Sequence, residues 1–268
     1  MQKINYQKQL DKIIGKLGDK VPSLLLHSCC APCSSYCIEY LSQHFSITVF
    51  YYNPNIYPET EYEKRKAEQK RLIREMETKY PVDFLDCDFE CEKFYEMAKG
   101  LENCRECGER CFKCYRLRLE KTVIEAMKNG FDYFTTTLTI SPLKNAEKIN
   151  EIGNELSEKY DVKFLPSDFK KREGYKRSIE LSKAFNLYRQ NYCGCVFSQN
   201  EQKNKDIECC PFLVIQKYQQ HLCLLLPLQH KQLLFCVQDE PCISQVLPHF
   251  QFQQLKVHRN FSRILPDF

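Results

Sequence analysis

Apolar residues recur at helical spacing near the start of the chain, at Tyr6, Leu10, Ile13, Ile14 and Leu17, and this predicts an amphipathic helix. Behind Pro22 the pattern changes to a short apolar run, Ser23–Leu26, and then to a β-branched and aromatic run, Ser46–Tyr52. Both have the length and composition of buried strands. Residues 59–79 are highly charged, and Glu61/Arg65 and Glu75/Lys79 stand four apart, the separation at which opposite charges meet on a helix. Pro81 is expected to end this helix. Further strands are expected at Val82–Leu85 and Tyr133–Thr137, and further helices at Phe112–Lys128 and Asn145–Lys159. Alternating strands and helices imply an α/β fold with a mostly parallel sheet and helices on both faces. Such sheets bind ligands at the carboxyl ends of their strands. No internal repeat is visible.

The pattern shifts near residue 200. All 8 glycines lie at or before Gly194, whereas average usage would place about five in the remainder. Glutamine becomes frequent, four of the six histidines lie here, and the apolar runs Leu213–Ile215, Leu222–Leu226 and Leu233–Val237 are short. The expected organisation is a catalytic α/β domain over 1–200 and a small C-terminal appendage over 201–268.

With 268 residues, 43% of them apolar, the chain can build a core, so wholesale disorder is excluded. The net charge of +4 excludes a polybasic tail protein but leaves room for a local basic patch. No apolar run approaches the ~18 residues of a membrane span, and the polar start is not a signal peptide. A cytoplasmic, reducing setting follows as the expectation, and there structural disulfides are disfavoured. The 17 cysteines therefore read as metal ligands or redox thiols.

Three cysteine groups stand out. His27-Ser28-Cys29-Cys30-Ala31-Pro32-Cys33 follows the first expected strand. It lacks the glycines of a phosphate loop, and two adjacent cysteines there can face one metal centre. Buried packing is the plainer alternative. Cys37 stands one helical turn beyond Cys33 and is assigned to packing, with Cys33 undecided. The second group is Cys104-x2-Cys107-x3-Cys111-x2-Cys114. All four could form a local zinc knuckle, or Cys111 and Cys114 could join Cys29 and Cys30 across the fold. In the third, Cys193-Gly194-Cys195, two thiols around one glycine can close a strained, readily reduced disulfide, which favours a redox role. Cys87, Cys91, Cys209, Cys210, Cys223, Cys236 and Cys242 are assigned to packing. Asp86 and Asp88 flank Cys87 and read as solvated loop residues before proton donors.

Residues 167–190 carry a local charge of +4, with Lys170, Lys171, Arg172, Lys176, Arg177, Lys183 and Arg189 interleaved with Tyr175 and Tyr188. This suits phosphates and unpaired bases, a solvated helix face being the alternative. In FTTTLTISPLKN, Ser141, Lys144 and Asn145 open a helix after a strand. That position suits a phosphate or ribose, or is an ordinary cap.

Taken together, HSCCAPC, RCFKCYRLRLE, FTTTLTISPLKN and YCGCVFS resemble the QueH-type epoxyqueuosine reductases, from about Leu24 to Ser198. The resemblance implies a Rossmann-like fold of the adenine nucleotide alpha-hydrolase type and a 4Fe-4S cluster, with room for an additional mononuclear iron. The activity it implies is the last step of queuosine biosynthesis, reduction of epoxyqueuosine to queuosine at the wobble position of the tRNAs for Asp, Asn, His and Tyr. It matches the cluster ligands to Cys29, Cys30, Cys111 and Cys114 and the redox pair to Cys193 and Cys195. Lys144, Asn145, Lys170, Lys171, Arg172, Tyr175 and Arg177 are the substrate-binding candidates. The expected partners are the tRNA and an unidentified electron donor, with no membrane. Cys104 and Cys107 depart from the family pattern, and the segment after Ser198 carries none of its motifs. The chemistry is consistent: opening an epoxide to an alkene consumes two electrons and two protons, which a dithiol can supply. Two other readings stay open. An adenylylsulfate-type reductase also carries a Cys-Cys pair far upstream of a CxxC, and here 80 residues separate Cys30 from Cys111. That enzyme class, however, keeps a phosphate loop where Cys29-Cys30 stands. A non-catalytic zinc module for nucleic acid is the other.

Overall fold

The computed structural model describes residues 4–209, with side chains through residue 203. Its centre is a five-stranded sheet in the order β3-β2-β1-β4-β5, and every pairing is parallel. The strands are β1 (Ser23–His27), β2 (Ser46–Phe50), β3 (Val82–Leu85), β4 (Tyr133–Thr136) and β5 (Lys163–Phe164). β1 is central, so it is apolar on both faces: Leu24, Leu25 and Leu26 are all fully buried, as strands covered on two sides must be.

The helices are α1 (Tyr6–Ile14), α2 (Ala31–Leu41), α3 (Glu59–Glu75), α4 (Cys91–Ala98), α5 (Glu109–Lys128), α6 (Ala146–Tyr160), α7 (Gly174–Ala184) and α8 (Val196–Cys209). On one face Leu25, Phe50 and Phe134 pack with Tyr115, Leu119 and Ile149 of α5 and α6. On the other, Leu24, Leu26 and Ile47 meet Leu10, Ile38 and Leu41 of α1 and α2. The expected α/β sheet flanked by helices is therefore present. The chain winds outward from β1 to β3 and then returns to β4 on the other side of β1. That reversal opens a crevice at the carboxyl ends of β1 and β4, where such sheets hold their ligands.

Some boundaries differ from expectation. α3 ends at Glu75, five residues short of Tyr80 and well before Pro81. Lys79 thus lies outside the helix, and Glu75 pairs with Arg71 at 2.7 Å instead. Glu61 and Arg65 do pair, at 2.6 Å. β4 stops at Thr136, and Thr137–Ile140 is a 3-10 turn capped by the Thr136 hydroxyl. β5 has two residues, too few for a periodicity, and Gly153 of α6 makes room for it: a Cβ there would sit 2.4 Å from the Phe164 ring. α8 extends past residue 200, and the first compact unit reaches Lys203. Most of the expected appendage 201–268 lies outside the described residues, with Cys210, Cys223, Cys236, Cys242 and the side chain of Cys209. Among the described residues, no helix is long and apolar enough to cross a membrane.

Candidate functional site

β1 delivers His27 to the crevice, and the chain then turns directly into α2. His27 is fully buried, with Nδ1 2.8 Å from Thr136 Oγ1 of β4. Arg118 Nε of α5 donates to His27 Nε2 at 3.3 Å. Burial and the Arg118 charge hold the imidazole down to about 3, so it stays neutral and accepts from the guanidinium. Arg118 also donates through Nη2 to Asn53 Oδ1, and Asn53 donates to the Ser28 carbonyl at 2.9 Å. Arg118 is itself 1% exposed, a buried cation held by neutral partners.

The turn after β1 carries three thiols. The sulfurs of Cys29, Cys30 and Cys33 lie within 4.8 Å of one another, and Cys29 and Cys30 are 3.9 Å apart. Pro32 occupies the first turn of α2, which begins immediately after Cys30, so the helix's positive end faces these sulfurs. Hydrogen bonds from Cys29 and Cys33 hold Cys30 well below the ordinary thiol range. The Cys29 backbone N–H donates to Thr137 Oγ1 at 3.3 Å, which ties the turn to the end of β4. Two thiolates sharing a tetrahedral ion at about 2.3 Å each stand about 3.8 Å apart. The donor set and its spacing fit a metal centre of the kind soft thiolates select.

A second group lines an adjoining cavity: Cys111 and Cys114 from α5, Cys193 and Cys195, with Arg118 and Lys144. Burial pushes Cys111 up to about 11 and also raises Cys114. Burial, then the neighbouring Cys193, pushes Cys195 up to about 12. The Cys193-Gly194-Cys195 turn is held from both sides. Arg65 donates to the Cys193 carbonyl at 3.1 Å. Cys193 N–H donates to Ser198 Oγ at 2.9 Å, and Ser198 N–H donates to Cys195 Sγ at 3.4 Å. Both thiols are free.

Lys144 enters this cavity from the loop before α6 and is 8% exposed. Its Nζ donates to Cys193 Sγ at 3.1 Å and to Glu106 Oε1 at 2.9 Å. Burial works against the ammonium, but Cys193 and Glu106 hold its pKa well above the usual lysine value. Arg118 joins the two groups: it lines this cavity and, through His27 and Asn53, holds the chain that leads into the cysteine turn.

The structure thus groups Cys29 and Cys30 with Cys33, and groups Cys111 and Cys114 with Cys193 and Cys195. Cys104 and Cys107 do not complete a four-thiol site with Cys111 and Cys114 among the described residues. Instead Cys107 is exposed, and its backbone N–H donates to Cys111 Sγ at 3.3 Å. Asn145 is an ordinary cap, accepting from Lys148 N–H at 3.0 Å, while Lys144 points at sulfur. In the basic stretch Lys170 pairs with Asp168, Arg172 with Asp11, and Arg177 with Glu39 and Glu180. Tyr175 is half-buried, and Lys171 is exposed. Asp86 is taken up by Lys66 and Lys70. Sequence reasoning missed Arg118, Asn53, Glu106 and Ser198. Arg118 had a signal, four residues after Cys114 and seven after Cys111 on one face of α5; Glu106, Ser198 and Asn53 had none.

The model of the family "Epoxyqueuosine reductase QueH" matches residues 24–201, a span that contains every cysteine of both groups. The chain belongs to the QueH family. Epoxyqueuosine reductase QueH of Staphylococcus epidermidis is 46% identical over 208 residues, covering 75% of this chain and 87% of the relative. The Streptococcus pyogenes protein is 43% identical over 206 residues, covering 75% and 80%. The Thermotoga maritima protein is 38% identical over 189 residues, covering 69% and 95%. Membership of QueH makes this chain an oxidoreductase, and the cysteine turn after β1 can hold a metal.

Proposed function

We propose that this chain reduces epoxyqueuosine to queuosine at the wobble position of the tRNAs for Asp, Asn, His and Tyr, in the cytoplasm. The observation that carries the reading is the contact between Lys144 and Cys193 inside a cavity lined by further cysteines and joined through Arg118 to the metal-competent turn. The dithiol of Cys193 and Cys195 gives up two electrons and two protons and becomes a disulfide. The epoxide takes up both and leaves as alkene and water. Lys144 holds a proton at Nζ where Cys193 reacts, and Glu106 keeps that ammonium charged and aimed. Gly194 gives the turn between the two sulfurs its shape. Cys29, Cys30, Cys111 and Cys114 are the proposed ligands of a 4Fe-4S cluster, and Cys33 is a further thiol within reach of metal, as an additional iron would require. When bound, such a centre supplies electron-transfer capacity and Lewis acidity toward the epoxide oxygen. The strand order β3-β2-β1-β4-β5 supports the finer assignment to the adenine nucleotide alpha-hydrolase type of fold. An external electron donor must reopen the disulfide after each turnover.

The test is reduction of epoxyqueuosine-containing tRNA by anaerobically purified protein, read by mass spectrometry of the digested nucleosides. Cys193→Ser and Cys195→Ser should each abolish queuosine formation and leave iron content and tRNA affinity intact. After one turnover without added reductant, alkylation should find the pair oxidised in the wild type. Wild-type turnover in both variants would remove the pair from the electron path.

A further inference from the structure

Few large apolar side chains of the described residues are exposed, and three of them, Tyr57 at 46%, Tyr95 at 40% and Leu143 at 63%, belong to residues that adjoin the cavity lining or the redox turn. Tyr57 is fastened to the redox turn itself, since its backbone N–H donates to the Gly194 carbonyl at 2.9 Å. Its own carbonyl accepts from the Tyr192 hydroxyl at 3.3 Å. Tyr95 follows Phe94, which lines the cavity and packs on Cys114 and Cys195. The Phe94 and Tyr95 rings meet edge-to-face at 5.7 Å. Leu143 precedes Lys144, and its carbonyl accepts from the Cys107 thiol. Each tyrosine is thus one contact removed from the cysteine pair, Tyr57 through the Gly194 carbonyl and Tyr95 through the Phe94 ring.

The main chain at Tyr57 is fixed to the redox turn while both rings are partly open to solvent, and a partly exposed aromatic ring offers a face on which an unpaired base can stack. The basic stretch is differently disposed, with Lys170, Arg172 and Arg177 already engaged by carboxylates. An occupant must put one reacting base among the cysteines and leave its neighbours outside. Unpaired RNA loops are recognised in that way, by splayed bases stacked on aromatic side chains.

We propose that Tyr57 and Tyr95 are stacking platforms for the unpaired nucleotides that flank the reacting base in the tRNA anticodon loop. This rests on the reading that the substrate is a tRNA base. It locates much of the recognition on the rim of the cavity and not on α7.

The experiment is fluorescence anisotropy of a labelled anticodon stem-loop against the full-length holoprotein. Stacking on one aromatic side chain corresponds to about a five- to hundredfold change in Kd, so Tyr57→Ala and Tyr95→Ala should each weaken binding within that range. Tyr57→Phe and Tyr95→Phe should bind as the wild type does, which separates stacking from a folding defect. Iron content should be equal throughout. The dependence of affinity on salt should not change in the Ala variants, because no phosphate contact is lost. With abasic nucleotides on both sides of the reacting position, the wild type should bind as weakly as the Ala variants. Equal affinity of wild type and Ala variants for the intact stem-loop would overturn the stacking proposal while leaving the tRNA reading in place, and the rim would then be the landing surface of a protein electron donor. A wild type that binds the stem-loop no better than an unrelated hairpin would overturn both.

Discussion

Lys144 places its ammonium 3.1 Å from the sulfur of Cys193, with Glu106 on its other side at 2.9 Å. An ammonium has three N–H donors; Glu106 and Cys193 take two, which leaves one for the epoxide of the proposed reaction. A charged donor already in place there costs no reorganisation at the moment of reaction.

Replacing Lys144 should therefore affect the chemical step more than binding. Lys144→Met should lower single-turnover queuosine formation about 10²-fold or more, the range for loss of a positioned proton donor. Stem-loop affinity should change little. Glu106→Gln keeps the ammonium and removes its anchor, so its loss should be the smaller. A Lys144→Met enzyme that turns over at the wild-type rate would refute the proton role.

The metal ligands can be sorted by content. Cys29, Cys30 and Cys33 are mutually close, so Cys33→Ser should lower bound iron in anaerobically purified protein, as should Cys29→Ser and Cys30→Ser. Cys111→Ala and Cys114→Ala should also lower it if these two serve as cluster ligands. Cys104→Ser and Cys107→Ser should not, because Cys107 is exposed and engaged with the Leu143 carbonyl. Iron and sulfide analysis of the set reads the ligand sphere directly, and a loss confined to the Cys104 and Cys107 variants would relocate the centre.

The sheet was legible because its signal is local. β1 and β2 are short buried runs whose ends are set by Pro22 and by the change of period, and β3 was bounded by Pro81. The cysteine groups were legible as groups. Their partnerships were not, because Cys33 was read by its helical spacing to Cys37, and its approach to Cys29 depends on how α2 leaves the β1 turn. Lys144 was placed at a helix start by its position, but its length carries Nζ away from the cap and into the cavity. Charge counting along the basic stretch does not register its partners: Arg172 and Arg177 find Asp11 and Glu39, 161 and 138 residues away in sequence, beyond any local window.

The far end of the β1/β4 pair gives a control. Asp132 accepts from both Ser23 N–H and Ser23 Oγ at 2.8 Å, and these bonds hold its pKa below the usual carboxylate value. A carboxyl depressed in the folded state stabilises above its unfolded pKa and loses that effect as pH falls through its folded pKa. Asp132→Asn should lower stability modestly at pH 7, with the difference from wild type vanishing in acid. Turnover at pH 7 should be unaffected, since the residue lies at the end of the sheet opposite the cysteines. Urea unfolding at several pH values, beside the activity assay, checks both halves.

Gly194 joins fold and chemistry most tightly. Its φ of +130° lies where side chains are rarely accommodated, and a Cβ there would sit 3.0 Å from Ile56 Cγ1 and 3.1 Å from Arg65 Nη1. Arg65 cannot simply yield, because it is buried, paired with Glu61 and donating to the Cys193 carbonyl. Gly194→Ala should therefore cost about 1–3 kcal/mol, the scale of backbone strain at such a position, and lower Tm by several degrees. Gly194→Val adds two methyls to the same crowded space, so the turn should distort and displace Cys193 from Lys144. Queuosine formation should then fall much further than Tm, by ten- to a hundredfold, because sub-ångström placement governs the reaction while the core of the sheet is untouched. Circular dichroism melts and single-turnover assays on the two variants separate these effects. A Gly194→Val protein with normal turnover would mean that the turn does not set the geometry of the cysteine pair.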